Sequence, residues 1–216
     1  GICRGGVLTL EEASDSIKRI LSDKIKAVGF VSPSHCVPQV KALIRELKRK
    51  GHFPITVYNT NSYERPDVID SLDGLIDIYL PDYKYVTPEI SAEYSDAYDY
   101  PEIALKAIKR MYYQKGSTLR LDADGRAENG ILIRHLVLPG HVEESNKVLR
   151  SIAEELSPGV HLSLMSQYHP TEFVRNHVWI NRNLYREEYE SVVETMESLG
   201  FRNVWIQDMD SHMNYR

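Results

Sequence analysis

Two pairs of residues in this chain have types and spacing suited to binding or acid–base chemistry. In Ile76-Asp77-Ile78-Tyr79-Leu80-Pro81-Asp82-Tyr83-Lys84, an apolar run delivers an acid and a base, Asp82 and Lys84, two residues apart. Strand residues at i and i+2 point the same way, so both side chains would face a common space, and a Pro suits the end of a strand better than its middle. The second pair, Arg134-His135, sits inside another apolar run, Ile131-Leu-Ile133 and Leu136-Val-Leu138. Burying either side chain there is costly unless it is paired or touches a ligand, so a functional role is favoured over a satisfied core pair. The plain alternative for Asp82 and Lys84 is an exposed ion pair at a strand terminus, which contributes little to stability.

Other apolar runs end in the same way: in Ser34 and His35, in Asn59, Thr60 and Asn61, and in Gln167, Tyr168 and His169. In parallel α/β folds, sites gather at the carboxyl ends of strands. Hence His35, Asn59, Thr60, Asn61, Asp82, Lys84, Arg134, His135, Gln167 and His169 are the candidate ligand-binding residues. Tyr83 and Tyr168 adjoin them and are read as ring-stacking or packing residues. The remaining His52, His161, His177 and His212, and Tyr112, Tyr113, Tyr185 and Tyr189, are assigned structural or surface roles. No candidate is assigned a catalytic or metal-ligating role.

The elements that must position these residues follow from periodicity. Helices are predicted over Leu8–Leu21, with Thr9 as N-cap, and over Val37–Arg49, Arg65–Leu72, Pro101–Tyr113, Glu143–Leu156 and Glu187–Leu199. Strands are predicted over Ile25–Val31, Phe53–Tyr58, Leu75–Leu80, Ile131–Leu138, Val160–Met165 and Val204–Ile206, and the stretch Tyr94–Tyr100 reads as an irregular loop. Leu119–Asp122 and Gly130–Arg134 flank an Asp124-Gly125 turn signal and predict a β-hairpin. Strands alternating with helix-length crossovers specify an α/β fold with a parallel sheet, here a partial (β/α) TIM-like barrel in one domain, 1–216. The order begins on a helix, so a first strand is expected to be missing, leaving Ile25–Val31 as an unpaired edge that invites a dimer.

At 216 residues, 42% apolar and 26% charged, composition is that of an ordinary globular domain. A net charge of -5 speaks against charge-driven nucleic-acid binding. No apolar run approaches the roughly 18 to 20 residues of a membrane span, and no signal-peptide pattern opens the sequence, so no membrane association and a cytoplasmic location are the expectations. Two cysteines, Cys3 and Cys36, make no disulfide framework and no four-cysteine metal site.

With these strand ends in view, the chain resembles the radical S-adenosylmethionine enzymes, in particular proteins related to pyruvate formate-lyase activating enzyme. The resemblance is carried by Phe30-Val-Ser-Pro-Ser-His35-Cys-Val-Pro-Gln39, Val57-Tyr-Asn-Thr-Asn61, Asp77-Ile-Tyr-Leu-Pro-Asp82-Tyr-Lys84-Tyr85, Ile133-Arg-His-Leu-Val-Leu-Pro-Gly140 and Leu164-Met-Ser-Gln-Tyr-His169-Pro170, in that order. It implies a partial barrel that binds a [4Fe-4S] cluster and S-adenosylmethionine, and generates a 5′-deoxyadenosyl radical that takes hydrogen from a glycyl-radical-type partner protein. It further implies that Asp82 and Lys84 contact the cofactor's polar end, that Arg134 and the Asn59-Thr60 pair lie near the same ligand, and that His169 lies near its adenosine. After the predicted strand Ile25–Val31, Ser32-Pro-Ser-His35 stands where relatives carry Gly-Gly-Glu.

The family's cluster motif, Cys-x3-Cys-x2-Cys, is absent. Three thiolates at that spacing hold three irons of the cluster, and Cys3 and Cys36 do not substitute. The expectation is therefore a fragment lacking the cluster loop, binding no cluster and inactive alone. Two other readings stand beside it. One is a divalent-metal barrel hydrolase or lyase using Asp82, His135 and His169 with Lys84. The other is a non-catalytic binding module.

Overall fold

The computed structural model describes residues 6–22 and 24–209, so Cys3 and His212 lie outside the described residues. Its sheet is ordered β1-β2-β3-β5-β6-β7, all parallel, with β4 antiparallel to β5. The strands are β1 (Ala27–Val31), β2 (Ile55–Thr60), β3 (Ile78–Pro81), β4 (Arg120–Leu121), β5 (Ala127–Leu136), β6 (His161–Met165) and β7 (Val204–Ile206). Helices α1 (Leu10–Ile20), α2 (Val37–Arg49), α3 (Pro66–Asp70), α4 (Pro88–Ser95), α5 (Tyr100–Lys115), α6 (Val142–Glu155) and α7 (Arg186–Ser198) complete the order. This is the expected α/β partial barrel, and among the described residues β1 and β7 are its edge strands, β1 bonded only to β2.

Helices α2 and α5 each bury an apolar stripe because their large residues recur at three- and four-residue intervals. Val37, Val40, Ile44 and Leu47 of α2, and Ala104, Ala107, Ile108 and Met111 of α5, are buried in this way. In α1, Thr9 Oγ1 accepts from the Glu12 N–H at 3.2 Å while Glu12 Oε2 accepts from the Thr9 N–H at 2.8 Å. That reciprocal cap satisfies two amide hydrogens that the first turn leaves unbonded.

Along each strand, alternate residues serve different layers. Tyr58, Tyr79, Ile131, Ile133, Leu162 and Leu164 face the helices and are buried. The residues between them, among them Asn59, Leu80, Leu132, Arg134 and Met165, face the concave side and are only half-buried.

The predicted hairpin forms as β4 and β5, turned by Asp122, whose Oδ1 accepts from the N–H groups of Asp124 (2.9 Å) and Arg126 (2.8 Å). Leu119 packs down on Gly130, whose φ is +141°. Two expectations need correction. Leu75 and Ile76 are not strand: their N–H groups bond the Leu72 carbonyl at 3.0 and 3.3 Å, closing a turn before β3. Part of the supposed loop before α5 is helix α4, which ends on Asp96 with φ +50°.

Candidate functional site

The parallel register places the ends of β2, β3 and β5 side by side. Asn59 lies opposite Leu80, and just past β3, Asp82 forms a bridge with Arg134, which in turn pairs with Ser163 on β6. Their side chains share the concave face. Arg134 Nη2 lies 2.6 Å from Asp82 Oδ1 and donates to Asn59 Oδ1 at 2.5 Å. The Asp82 contact is close in distance but lacks hydrogen-bond geometry. Asp82 Oδ1 and Arg134 Nε are consequently buried with no hydrogen-bond partner among the described residues. Lys84 Nζ has no ion-pair partner among the described residues.

These groups open onto a cavity of about 250 Å³. Asp82, Lys84 and Arg134 form its polar wall, and Tyr85, Leu136, Leu138, Met165 and Tyr168 its apolar wall. Tyr168 is held by its hydroxyl, which donates to the Ile180 carbonyl at 2.7 Å. One acid and two bases on one wall of a largely apolar cavity suit a ligand with an ionised polar group and an extended apolar or aromatic part, since few convergent polar groups set orientation while apolar walls supply contact area.

The other expected site residues fall elsewhere. Thr60 faces the helices and donates to Glu64 Oε1 at 2.9 Å, beside Tyr58 OH (2.9 Å) and Ser34 Oγ (2.7 Å) on the same oxygen. His135 is buried on the same side as Thr60, with Nδ1 2.8 Å from the Tyr83 carbonyl and Nε2 2.9 Å from Ser145 Oγ. Burial pushes its pKa below the ordinary imidazole value, against smaller opposing effects of the Tyr83 bond and Glu144. The ring is therefore neutral. Nδ1 carries the hydrogen because a carbonyl only accepts, and Nε2 accepts from Ser145.

His135 and Arg134 were expected to share one role, and that expectation is corrected here. Neighbours in a strand point to opposite faces, so only Arg134 reaches the cavity. The proposed metal trio of Asp82, His135 and His169 does not converge, for the same reason. His35, in the short turn Pro33–His35, is exposed, as are Asn61, Gln167 and His169 on loops at the strand ends. Asn61 Oδ1 accepts from the Tyr63 N–H at 3.0 Å and shapes its own turn. Gln167 accepts from Gln207 Nε2 at 3.2 Å.

Reasoning from strand ends alone misses Leu136 and Met165, which alternation would have found: they share parity with Arg134 and Ser163. Of the two roles open for Tyr83, ring stacking or packing, it takes the second: its ring is buried among the helices with its hydroxyl 3.1 Å from Ser151 Oγ.

No family model matches the chain. An uncharacterized protein of Methanocaldococcus jannaschii is 30% identical over 176 residues, which is 81% of this chain and 47% of the relative, so the chain spans about half the length of the curated relative it matches. Among solved structures, a domain of pyruvate-formate lyase-activating enzyme from Bacteroides vulgatus superposes with a TM-score of 0.57 at 16% identity, covering 84% of this chain and 98% of that domain. At that identity the likeness establishes a shared fold.

Proposed function

We propose that this chain carries the S-adenosylmethionine-binding face of a radical S-adenosylmethionine enzyme of the pyruvate formate-lyase activating type, acting on a glycyl-radical-type partner protein. The observation that carries this reading is a pair of buried atoms without a hydrogen bond among the described residues, Asp82 Oδ1 and Arg134 Nε, on side chains that line an apolar-walled cavity at the carboxyl ends of parallel strands. A zwitterionic methionyl group complements them: its ammonium suits Asp82, and its carboxylate suits Lys84 and Arg134. The shared fold and the ordered motifs of five strand ends point the same way.

The chain's own residues bind and orient the cofactor, whose chemistry in such enzymes is to supply a hydrogen-abstracting radical. Cys3 and Cys36 do not fit a three-thiolate cluster site, and Cys36 packs half-buried against the core. No redox step is assigned to these residues.

The test is isothermal titration of the chain with S-adenosylmethionine, with adenosine and methionine as comparisons. Saturable binding, weakened by Asp82→Asn and by Lys84→Met, is the expected result. No heat of binding at millimolar ligand would sink the reading.

A further inference from the structure

Between Asp82 and Thr87 the chain runs on past the end of β3, and side chains take over the bonding that a neighbouring strand would provide. The first two amides still follow the sheet: the Asp82 N–H donates to the Thr60 carbonyl and the Tyr83 N–H to the Arg134 carbonyl, both at 2.9 Å. Beyond them, the Tyr83 carbonyl accepts from His135 Nδ1 at 2.8 Å. Tyr100 OH accepts from the Lys84 N–H and donates to the Asp82 carbonyl, each at 3.0 Å. Glu144 Oε1 accepts from the N–H groups of Val86 (2.6 Å) and Thr87 (2.8 Å), and its other oxygen accepts from Thr87 Oγ1. His135, Tyr100 and Glu144 are all buried.

We propose that His135 is a positioning residue, whose bond to the Tyr83 carbonyl fixes the backbone between Asp82 and Lys84 and so aims both charges into the ligand cavity. The Tyr83 carbonyl lies between the two charged residues, and rotating its peptide would swing the Lys84 side chain out of line with Asp82. Tyr100 bridges the same two residues but through a single hydroxyl. Its hydrogen bonds restrain the Asp82 carbonyl and the Lys84 amide, and they leave the Tyr83 carbonyl to His135. The ring itself is held at both ends, by Tyr83 on Nδ1 and by Ser145 on Nε2, the kind of outer support that keeps binding groups within a fraction of an ångström of their working positions. His135 contributes without touching the ligand, which explains a polar residue in the middle of an apolar, helix-facing row.

The inference rests on the reading above only for its ligand, and its test separates the two. In His135→Asn the side-chain amide nitrogen falls near the position of Nδ1, whereas in His135→Gln it falls near Nε2. Both remove the ring, so both lower stability, and Ile152→Ala, a buried truncation in α6 that leaves His135 and Ser145 in place, serves as a destabilised control.

Titration with S-adenosylmethionine should show His135→Gln binding about tenfold or more weakly, as loss of one buried hydrogen bond allows, and His135→Asn within about threefold of the unaltered chain. Lys84→Met should weaken binding in the Asn background and add little in the Gln background, the coupling expected when one residue acts through another. In the same variants without ligand, hydrogen exchange at the amides of Lys84, Val86 and Thr87 should quicken in His135→Gln and stay slow in His135→Asn and Ile152→Ala. Equal behaviour of the Asn and Gln variants, or of Gln and Ile152→Ala, would overturn the proposal. If the unaltered chain binds no S-adenosylmethionine, the functional reading fails while the exchange comparison still decides the role of His135.

Discussion

Replacing Arg134 with Met removes a charge while keeping a side chain of similar length, so it isolates the electrostatics of the cavity's polar wall. Arg134 and Asp82 are about one-fifth exposed (23% and 21%) with Nη2 and Oδ1 2.6 Å apart. That places the pair between the exposed limit, worth about 0–1 kcal/mol, and the buried limit, where stripping one partner costs about 3–5 kcal/mol. An intermediate loss of about 2 kcal/mol is expected. Asn59 Oδ1 loses its donor as well, adding about 1 kcal/mol. The sum, about 3 kcal/mol, corresponds to a fall in melting temperature of about 6–12 °C for a chain of this length. Arg134→Lys keeps the charge but not the planar fork that reaches both Asp82 and Asn59, so it should lose about half as much. Urea unfolding followed by circular dichroism measures both. A Met variant within about 0.5 kcal/mol of the unaltered chain, the scatter of ordinary surface substitutions, would refute the claim that these poorly solvated contacts of Arg134 stabilise the fold.

Further outcomes follow from other parts of the fold. A methyl group on Gly130 would lie 2.9 Å from the Leu119 Cα, a backbone atom with nowhere to go, at a φ of +141°; Gly130→Ala should cost about 2–4 kcal/mol in urea unfolding. Gly140→Ala instead meets the half-exposed Trp179 ring and Cβ at 2.8 and 2.9 Å, so a smaller loss with a shift in tryptophan fluorescence is expected. Glu188 is held down to about 2, first by the Arg182 guanidinium and also by the N–H groups of Tyr185 and Gly140. Its folded pKa is below the unfolded 4.5, so its contribution is present above 4.5 and is lost as pH falls toward 2; Glu188→Gln should flatten that part of the stability–pH curve. The open side of β1, where Val31 is 73% exposed, should pair with a second copy. Light scattering should give a dimer mass that Val31→Lys reduces to monomer; a clean monomer of the unaltered chain at high concentration contradicts this.

The helices and strands with strong period were legible in the residues alone. Val37–Arg49 and Val204–Ile206 form over the predicted bounds, because an unbroken apolar stripe or run coincides there with clear stop signals. Helix α4 was not legible. Pro88-Glu-Ile-Ser-Ala-Glu-Tyr-Ser95 has no apolar stripe, and its start is tied down by Glu144, 57 residues away from Thr87. At the site, Asp82, Lys84 and Arg134 were legible as strand-end charges. Thr60 and His135 were misplaced because a motif names residues without saying which face of the strand each occupies. Glu144 and Tyr100 carry no such signal: each lies on a helix, and its role depends on a contact that only the folded chain creates.

The alternation along β5 has a consequence for descent with modification. Ile131, Ile133 and His135 are locked among helices, whereas Leu132, Arg134 and Leu136 border open space. A substitution at Arg134 or Leu136 changes the cavity wall directly, whereas one at Ile131, Ile133 or His135 changes the packing beneath it and reaches the cavity only through the backbone. Variants selected for a different ligand are therefore expected to differ first at Arg134 and Leu136, the two positions of this strand that line the cavity.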